Sequence, residues 1–124
     1  MADKVAVVVY SGHWQAVNTA LNLLAVAVAM EAEAHVYFTG DGVVWVGRPA
    51  DGDGPPDAEA EAREEVGSRL RELKEDGTLH VYACTRAMRD HDIPAENLLP
   101  EVEMPAGFAY FLEVASGASV MLSF

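Results

Sequence analysis

Val5 to Tyr10 is an unbroken apolar run, the pattern of a strand covered on both faces in a parallel sheet. Ser11-Gly12-His13 interrupts it, and Ser11 or Gly12 is placed to cap a helix. That helix is predicted from about His13 to Met30. Its first half carries a polar stripe, Gln15, Asn18, Thr19 and Asn22, whereas Leu23 to Met30 holds no polar residue. A helix that is apolar all round must be covered all round, and in a chain this short a partner subunit is one way to cover it. Ala34 to Thr39 is predicted as the second strand. Gly40-Asp41-Gly42 turns the chain, and the apolar stretch Val43 to Val46 fits either a strand or the start of a helix.

From Gly47 to Asp57, Gly52, Gly54, Pro55 and Pro56 predict a mobile loop. Its Asp51, Asp53 and Asp57 lack the closing Glu and the third early ligand of a calcium loop. The clearest helix is predicted over Ala58 to Asp76, with Ala58, Ala62, Val66, Leu70 and Leu73 as one apolar stripe. Glu59 with Arg63, and Glu65 with Arg69, stand in the favourable i,i+4 order, and Gly77 is a natural C-cap. Leu79 to Ala83 is β-prone and leads to Cys84. After it, Thr85-Arg86-Ala87-Met88-Arg89 reads as a loop or short helix. A short segment from Ile93 to Leu99 has Pro94 near its start and Pro100 after its end. Val102-Glu103-Met104 is predicted as a short fourth strand, Ala106 to Ser116 as a helix stopped by Gly117, and Ala118 to Phe124 as a final apolar strand. Strands joined by helices predict an α/β fold with a parallel, doubly wound sheet and right-handed crossovers.

Composition narrows the class. With 124 residues, 51% of them hydrophobic, the chain is expected to form one globular domain over 1–124. The formal charge of −12 argues against nucleic acid or an anionic membrane surface as a partner. Ten of the twenty acidic residues lie between Asp51 and Asp76, which makes the charge one solvated face rather than a binding patch. The longest apolar run, Leu23 to Met30, is too short to span a bilayer. No signal-peptide pattern opens the sequence. The single cysteine excludes an internal disulfide framework and a cysteine-rich zinc site, and it suits a reducing cytoplasm. No cofactor and no metal is expected.

In doubly wound sheets ligands sit beyond the carboxyl ends of the strands. That rule gathers Tyr10-Ser11-Gly12-His13, Thr39-Gly40-Asp41 and Cys84-Thr85-Arg86 at one edge, with Cys84, His13, Asp41 and Arg86 within reach of one another. A thiol at a helix N-terminus beside Arg has its thiolate favoured; the plainer alternative is that Cys84 is a small core residue. Tyr10-Ser11-Gly12-His13 is too poor in donors for a flavin phosphate loop. An acidic pair after the first strand, as a response regulator needs, is absent. Cys84 to Arg89 has no glycine for a phosphatase or rhodanese-type cradle. A Cys-His hydrolase would draw on His13 or His91, a thiol peroxidase would need a resolving thiol, and His35 and His80 are strand residues with structural roles. Trp14 and Trp45 read as packing or interface anchors.

The order of these segments resembles the DsrE/DsrF-like family, relatives of the sulfur-relay subunits TusB, TusC and TusD. It is carried by the apolar first strand with its Ser-Gly loop and by the Ala- and Leu-rich first helix. Val36-Tyr37-Phe38-Thr39-Gly40-Asp41-Gly42-Val43 is similar to the family's "vfftgdGv" segment, and Val81-Tyr82-Ala83-Cys84 to its strand ending in cysteine. Ile93 through Leu98-Leu99-Pro100-Glu101-Val102-Glu103 and the terminal Val120-Met121-Leu122-Ser123-Phe124 complete it. The resemblance implies a three-layer α/β/α sandwich with a mostly parallel five-stranded sheet, assembled as homo-oligomers, trimers or hexamers. It implies that Cys84 matches the cysteine that carries sulfur as a persulfide in the relay members. On that basis Ser11, Gly12, His13, Thr39, Asp41, Thr85 and Arg86 are expected to shape its pocket. A sulfur donor or acceptor protein is the expected partner, because the chain has no second thiol. The alternative is a non-catalytic oligomeric module that binds a small ligand or a protein and keeps Cys84 as a structural thiol. The family often follows the cysteine with small residues, whereas Thr85-Arg86-Ala87-Met88-Arg89 is bulkier and basic.

Overall fold

Five strands form a single sheet in the computed structural model, which describes residues 3–50 and 60–124. They are β1 (Lys4–Val9), β2 (Glu33–Phe38), β3 (Leu79–Cys84), β4 (Met104–Ala106) and β5 (Val120–Ser123). Their order across the sheet is β4-β3-β2-β1-β5, and all four neighbouring pairs run parallel. Helix α1 (Trp14–Ala29) joins β1 to β2 and α2 (Ala60–Asp76) joins β2 to β3. Helix α3 (Thr85–Asp90) follows β3, and α4 (Phe108–Ala115) joins β4 to β5. The chain walks one way from β1 to β4, then returns to the free side of β1. With right-handed crossovers that reversal puts α4 on the face opposite α1 and α2.

Side-chain alternation confirms the layers. Register partners in a parallel pair point to the same face. Val8 is opposite Tyr37 and Tyr37 is opposite Tyr82, and Tyr37 stacks on Phe111 of α4 at 4.5 Å. This is therefore the α4 face. Val5, Val7 and Val9, with Ala34, Val36 and Phe38, point the other way and are buried. Val17, Leu21 and Leu24 of α1 and Val66 and Leu70 of α2, all at 0% exposure, pack over that side. Each such burial contributes about 1.5–3 kcal/mol. Arg69 ties the two helices together, donating to Asn18 Oδ1 at 2.7 Å and Asn22 Oδ1 at 2.6 Å. Asn18 and Asn22 of the polar stripe thus meet α2 through Arg69, which reaches them rather than Glu65, while Gln15 and Thr19 stay exposed.

The ambiguous stretch after β2 is a 3-10 helix, Gly40–Trp45. It folds back over the carboxyl ends of β1 and β2. Trp45 is fully buried there, donating from Nε1 to Ser11 O at 3.0 Å and meeting Trp14 edge-on at 5.9 Å. Two glycines permit the fold-back. Gly40 takes φ +52°, a left-handed conformation costly for other residues. A Cβ on Gly42 would run into Val9 O.

Several boundaries differ from expectation. β4 starts at Met104, two residues late, because Val102 N closes a turn to Leu99 O. Pro105 is tolerated because β4 is an edge strand. Ala106 ends β4, so α4 begins only at Phe108, capped by Gly107. It stops at Gly117, which has φ +83°, and Lys4 Nζ donates to Val114 O and Ser116 O at 3.0 Å each. Most of the expected 47–57 loop, the three aspartates and Glu59 lie outside the described residues. The apolar second half of α1 is covered on one side only: Leu24, Ala27 and Val28 are buried, while Leu23, Val26 and Met30 are exposed. His35 and His80 stack at 4.7 Å within the sheet. His35 pairs with Glu33 at 2.7 Å, which holds that carboxyl below its ordinary range. Among the described residues, no helix is long and apolar enough to cross a membrane.

Replacing Gly42 by Ala should lower the unfolding free energy by about 1–3 kcal/mol, the usual cost of overpacking, as read from the shift of the urea midpoint. An unchanged midpoint would mean that the 3-10 helix does not press on Val9.

Candidate functional site

Cys84 is the last residue of β3 and the N-cap of α3. Its Sγ accepts a hydrogen bond from Ala87 N at 3.5 Å, the place that a Ser or Asp oxygen usually fills. The segment from Thr85 to Asp90 offers a single helical turn and a half, so Cys84 does this capping itself. The residue is 1% exposed.

Its surroundings follow from strand periodicity. β2 and β3 pair in register through Phe38 and Ala83. One residue on, Thr39 and Cys84 share the α4 face with Tyr37 and Tyr82. Burial pushes the Cys84 thiol up, while the nearby Thr39 and Tyr37 hydroxyls, the Ala87 amide bonded to Sγ and the Arg86 amide push it down. The donors win, and the thiol lies below its ordinary value. The same contact, after burial, drives the Tyr37 phenol well above its own range. Tyr37 donates its one phenolic proton to Ala106 O at 2.9 Å.

Two cavities open along this edge of the sheet. The first, about 260 Å³, is lined by Cys84, Thr39, Gly40, Arg86, Ala87, Asp90 and Phe108. The second, about 480 Å³, is lined by Tyr10, Ser11, Gly12, His13, Asp41, Val44 and His91. The structure therefore brings Thr39 and Arg86 to Cys84 and groups Ser11, Gly12, His13 and Asp41 beside them in a separate space. Thr85 is exposed at the start of α3 and lines neither cavity. The 3-10 helix and α3 are the partition: Gly40 faces one side and Asp41 the other, as do Asp90 and His91. His91 Nε2 pairs with Asp41 Oδ1 at 3.2 Å, not with the thiol, so no Cys-His dyad forms here. Among the described residues, no three His, Cys, Asp or Glu side chains converge as metal ligands.

Gly40 stands in the Thr39-Gly40-Asp41 loop that the sequence places at this edge, whereas Tyr37, Ala87, Asp90 and Phe108 are not among the expected site residues. Tyr37 was within reach of the period-2 rule, two residues before Thr39. Phe108 was not, since only the return of α4 over the sheet carries it there.

A model of the DsrE/DsrF-like family matches residues 3–115. No curated protein matches the chain. Among solved structures, the protein of unknown function MTH1491 from Methanobacterium thermoautotrophicum superposes with a TM-score of 0.72 at 15% identity, over 96% of this chain and 97% of that one. The ychN protein from E. coli gives a TM-score of 0.67 at 16% identity, over 98% and 99%. At these identities the two structures share the fold.

Alkylation of the native protein, followed by intact mass against pH, should have its midpoint below the ordinary thiol value of about 8.5. Thr39→Val and Tyr37→Phe should each move it upward, because each removes a hydroxyl whose nearness favours thiolate. Midpoints that stay with the wild type would show that the hydroxyls do not act on sulfur.

Proposed function

The chain belongs to the DsrE/DsrF-like family, and from that membership and the setting of Cys84 we propose that it is a sulfur carrier. The observation that carries this reading is a thiol 1% exposed that accepts the Ala87 amide at 3.5 Å and lines a cavity with Thr39 and Arg86, its hydroxyl and amide neighbours holding it below its ordinary value against burial. Polar donors near an ionised group favour it, which is how they offset the burial of a thiolate. The same donors would serve a persulfide anion, whose charge lies one atom farther out, towards Arg86 in the cavity wall.

Cys84 thiolate attacks the sulfane sulfur of a donor. A new S–S bond forms at Sγ as the donor's S–S bond breaks, and the leaving group keeps the electron pair. With no second cysteine in the chain, an outside thiolate then attacks the terminal sulfur. It leaves as the acceptor's persulfide, and Cys84 returns as thiolate. Both steps are exchanges and need no external oxidant. A reducing cytoplasm suits such a carrier.

Self-association is part of this reading. Leu23, Val26 and Met30 on α1 and Val120, Met121 and Leu122 on β5 are apolar and exposed, surface that further copies would cover in a trimer or hexamer. The rival is a binding module in which Cys84 only caps α3; its near-complete burial favours that view.

Loading with a sulfane donor should add one sulfur atom to the wild type, located at Cys84 by peptide mapping, and none to Cys84→Ser. Wild-type protein that gains no sulfur, or gains it elsewhere, would leave the binding module standing. Light scattering should give a small multiple of 13.3 kDa at micromolar concentration; the monomer mass would refute assembly.

A further inference from the structure

We propose that Tyr37 is a positioning residue whose one phenolic hydrogen bond follows the charge on Cys84: it goes to the Ala106 carbonyl when the sulfur is a thiol, and to Sγ when it is a thiolate. This rests on the carrier reading above in one respect, that Cys84 works as a thiolate.

Topology puts the phenol beside the sulfur. Tyr37 starts on β2 and donates to Ala106 O on β4 at 2.9 Å, and β3 lies between those strands. On the face that the side chain crosses, β3 presents Tyr82, the register partner of Tyr37, and then Cys84, the register partner of Ala106. A ring that leaves the level of Tyr82 and ends at the level of Ala106 passes Cys84. Phe111, stacked at 4.5 Å, and Phe108, edge-on at 5.9 Å, clamp that ring from α4. The ring therefore stays in place, and the O–H bond is what turns.

Tyr37 is buried, and a buried hydroxyl without an acceptor is costly, so the phenol needs a partner in both states. A neutral thiol is a weak acceptor, and the Ala106 carbonyl wins. An ionised acceptor makes the stronger bond, and the thiolate wins. Burial, and then Cys84, hold Tyr37 well above its ordinary range. It therefore donates while keeping its own proton, and the proton that Cys84 loses goes to solvent. The sulfur gains a donor only as its charge appears. The Ala106 carbonyl gives that donor up, next to Gly107, which caps α4. The charged groups around the sulfur are Arg86 and Asp90 of α3, while α4 contributes Phe108, which carries no charge.

The test is the carbon-13 carbonyl resonance of Ala106 across the thiol range, about pH 6 to 9.5, set beside the midpoint of Cys84 alkylation. Loss of a hydrogen bond moves a carbonyl carbon upfield. In the wild type the Ala106 resonance should move upfield with the alkylation midpoint. In Cys84→Ser it should keep its low-pH position throughout, and in Tyr37→Phe it should sit upfield at every pH. A wild-type resonance that ignores the ionisation of Cys84, or one that titrates alike in either variant, overturns the switch; sulfur gain at Cys84 by intact mass then still upholds the carrier. If the resonance titrates as expected but a sulfane donor adds no sulfur to Cys84, the switch stands and the carrier reading falls.

Discussion

The parallel pairing of β2 with β3, in register from Ala34 opposite Leu79 to Phe38 opposite Ala83, is the constraint on which the site depends. It places Tyr37 and Thr39 on the face to which Cys84 points. A slip of one residue would turn every side chain of a strand to the other face and send both hydroxyls toward α1 and α2. What resists the slip lies on that opposite face, where Val36, Phe38 and Val81 are fully buried. The polarity of the thiol's surroundings is thus set by apolar packing on the far side of the sheet.

A buried thiol is ordinarily an inert one, since a low dielectric penalises the thiolate. Here the balance runs the other way because the end of a strand meets the start of a helix at Cys84. Strand geometry brings the Tyr37 and Thr39 hydroxyls near, and the turn into α3 supplies the Ala87 amide that bonds Sγ. One position therefore has polar neighbours from both kinds of secondary structure. The fold-back of Gly40–Trp45 then closes the edge. It separates the thiol's cavity from the space that holds His13, Asp41 and His91, leaving hydroxyls and amides, rather than an imidazole, around the sulfur.

Much of this was legible in the chain. The continuous apolar run of β1, the stripe along α2, and the Gly40-Asp41-Gly42 turn are local patterns, and they predict elements close to those found. The position of Cys84 between strand and helix was likewise local. Less legible was the 3-10 helix, because four apolar residues in a row fit a strand or a helix equally well. β4 is too short for periodicity to mark it, and its start was decided by the Val102–Leu99 turn.

By itself, the sequence determined the alternation of strands and helices, the parallel α/β class and the cysteine at the sheet's carboxyl edge. Those follow from side-chain period, turn residues and connection length, all of which act between near neighbours. The tertiary structure alone decided which loop residues share a cavity with Cys84. Ser11, His13 and Asp41 stand as near to that edge in the topology as Thr39 and Arg86 do. They are parted from the thiol because the fold-back of one helix is wedged against Val9 and the start of another is tied to Sγ. Phe108, a distant residue in sequence, enters the thiol's cavity because the crossover from β4 to β5 carries α4 over the Tyr37 face. These are packing outcomes between segments far apart in the chain, and no local pattern encodes them.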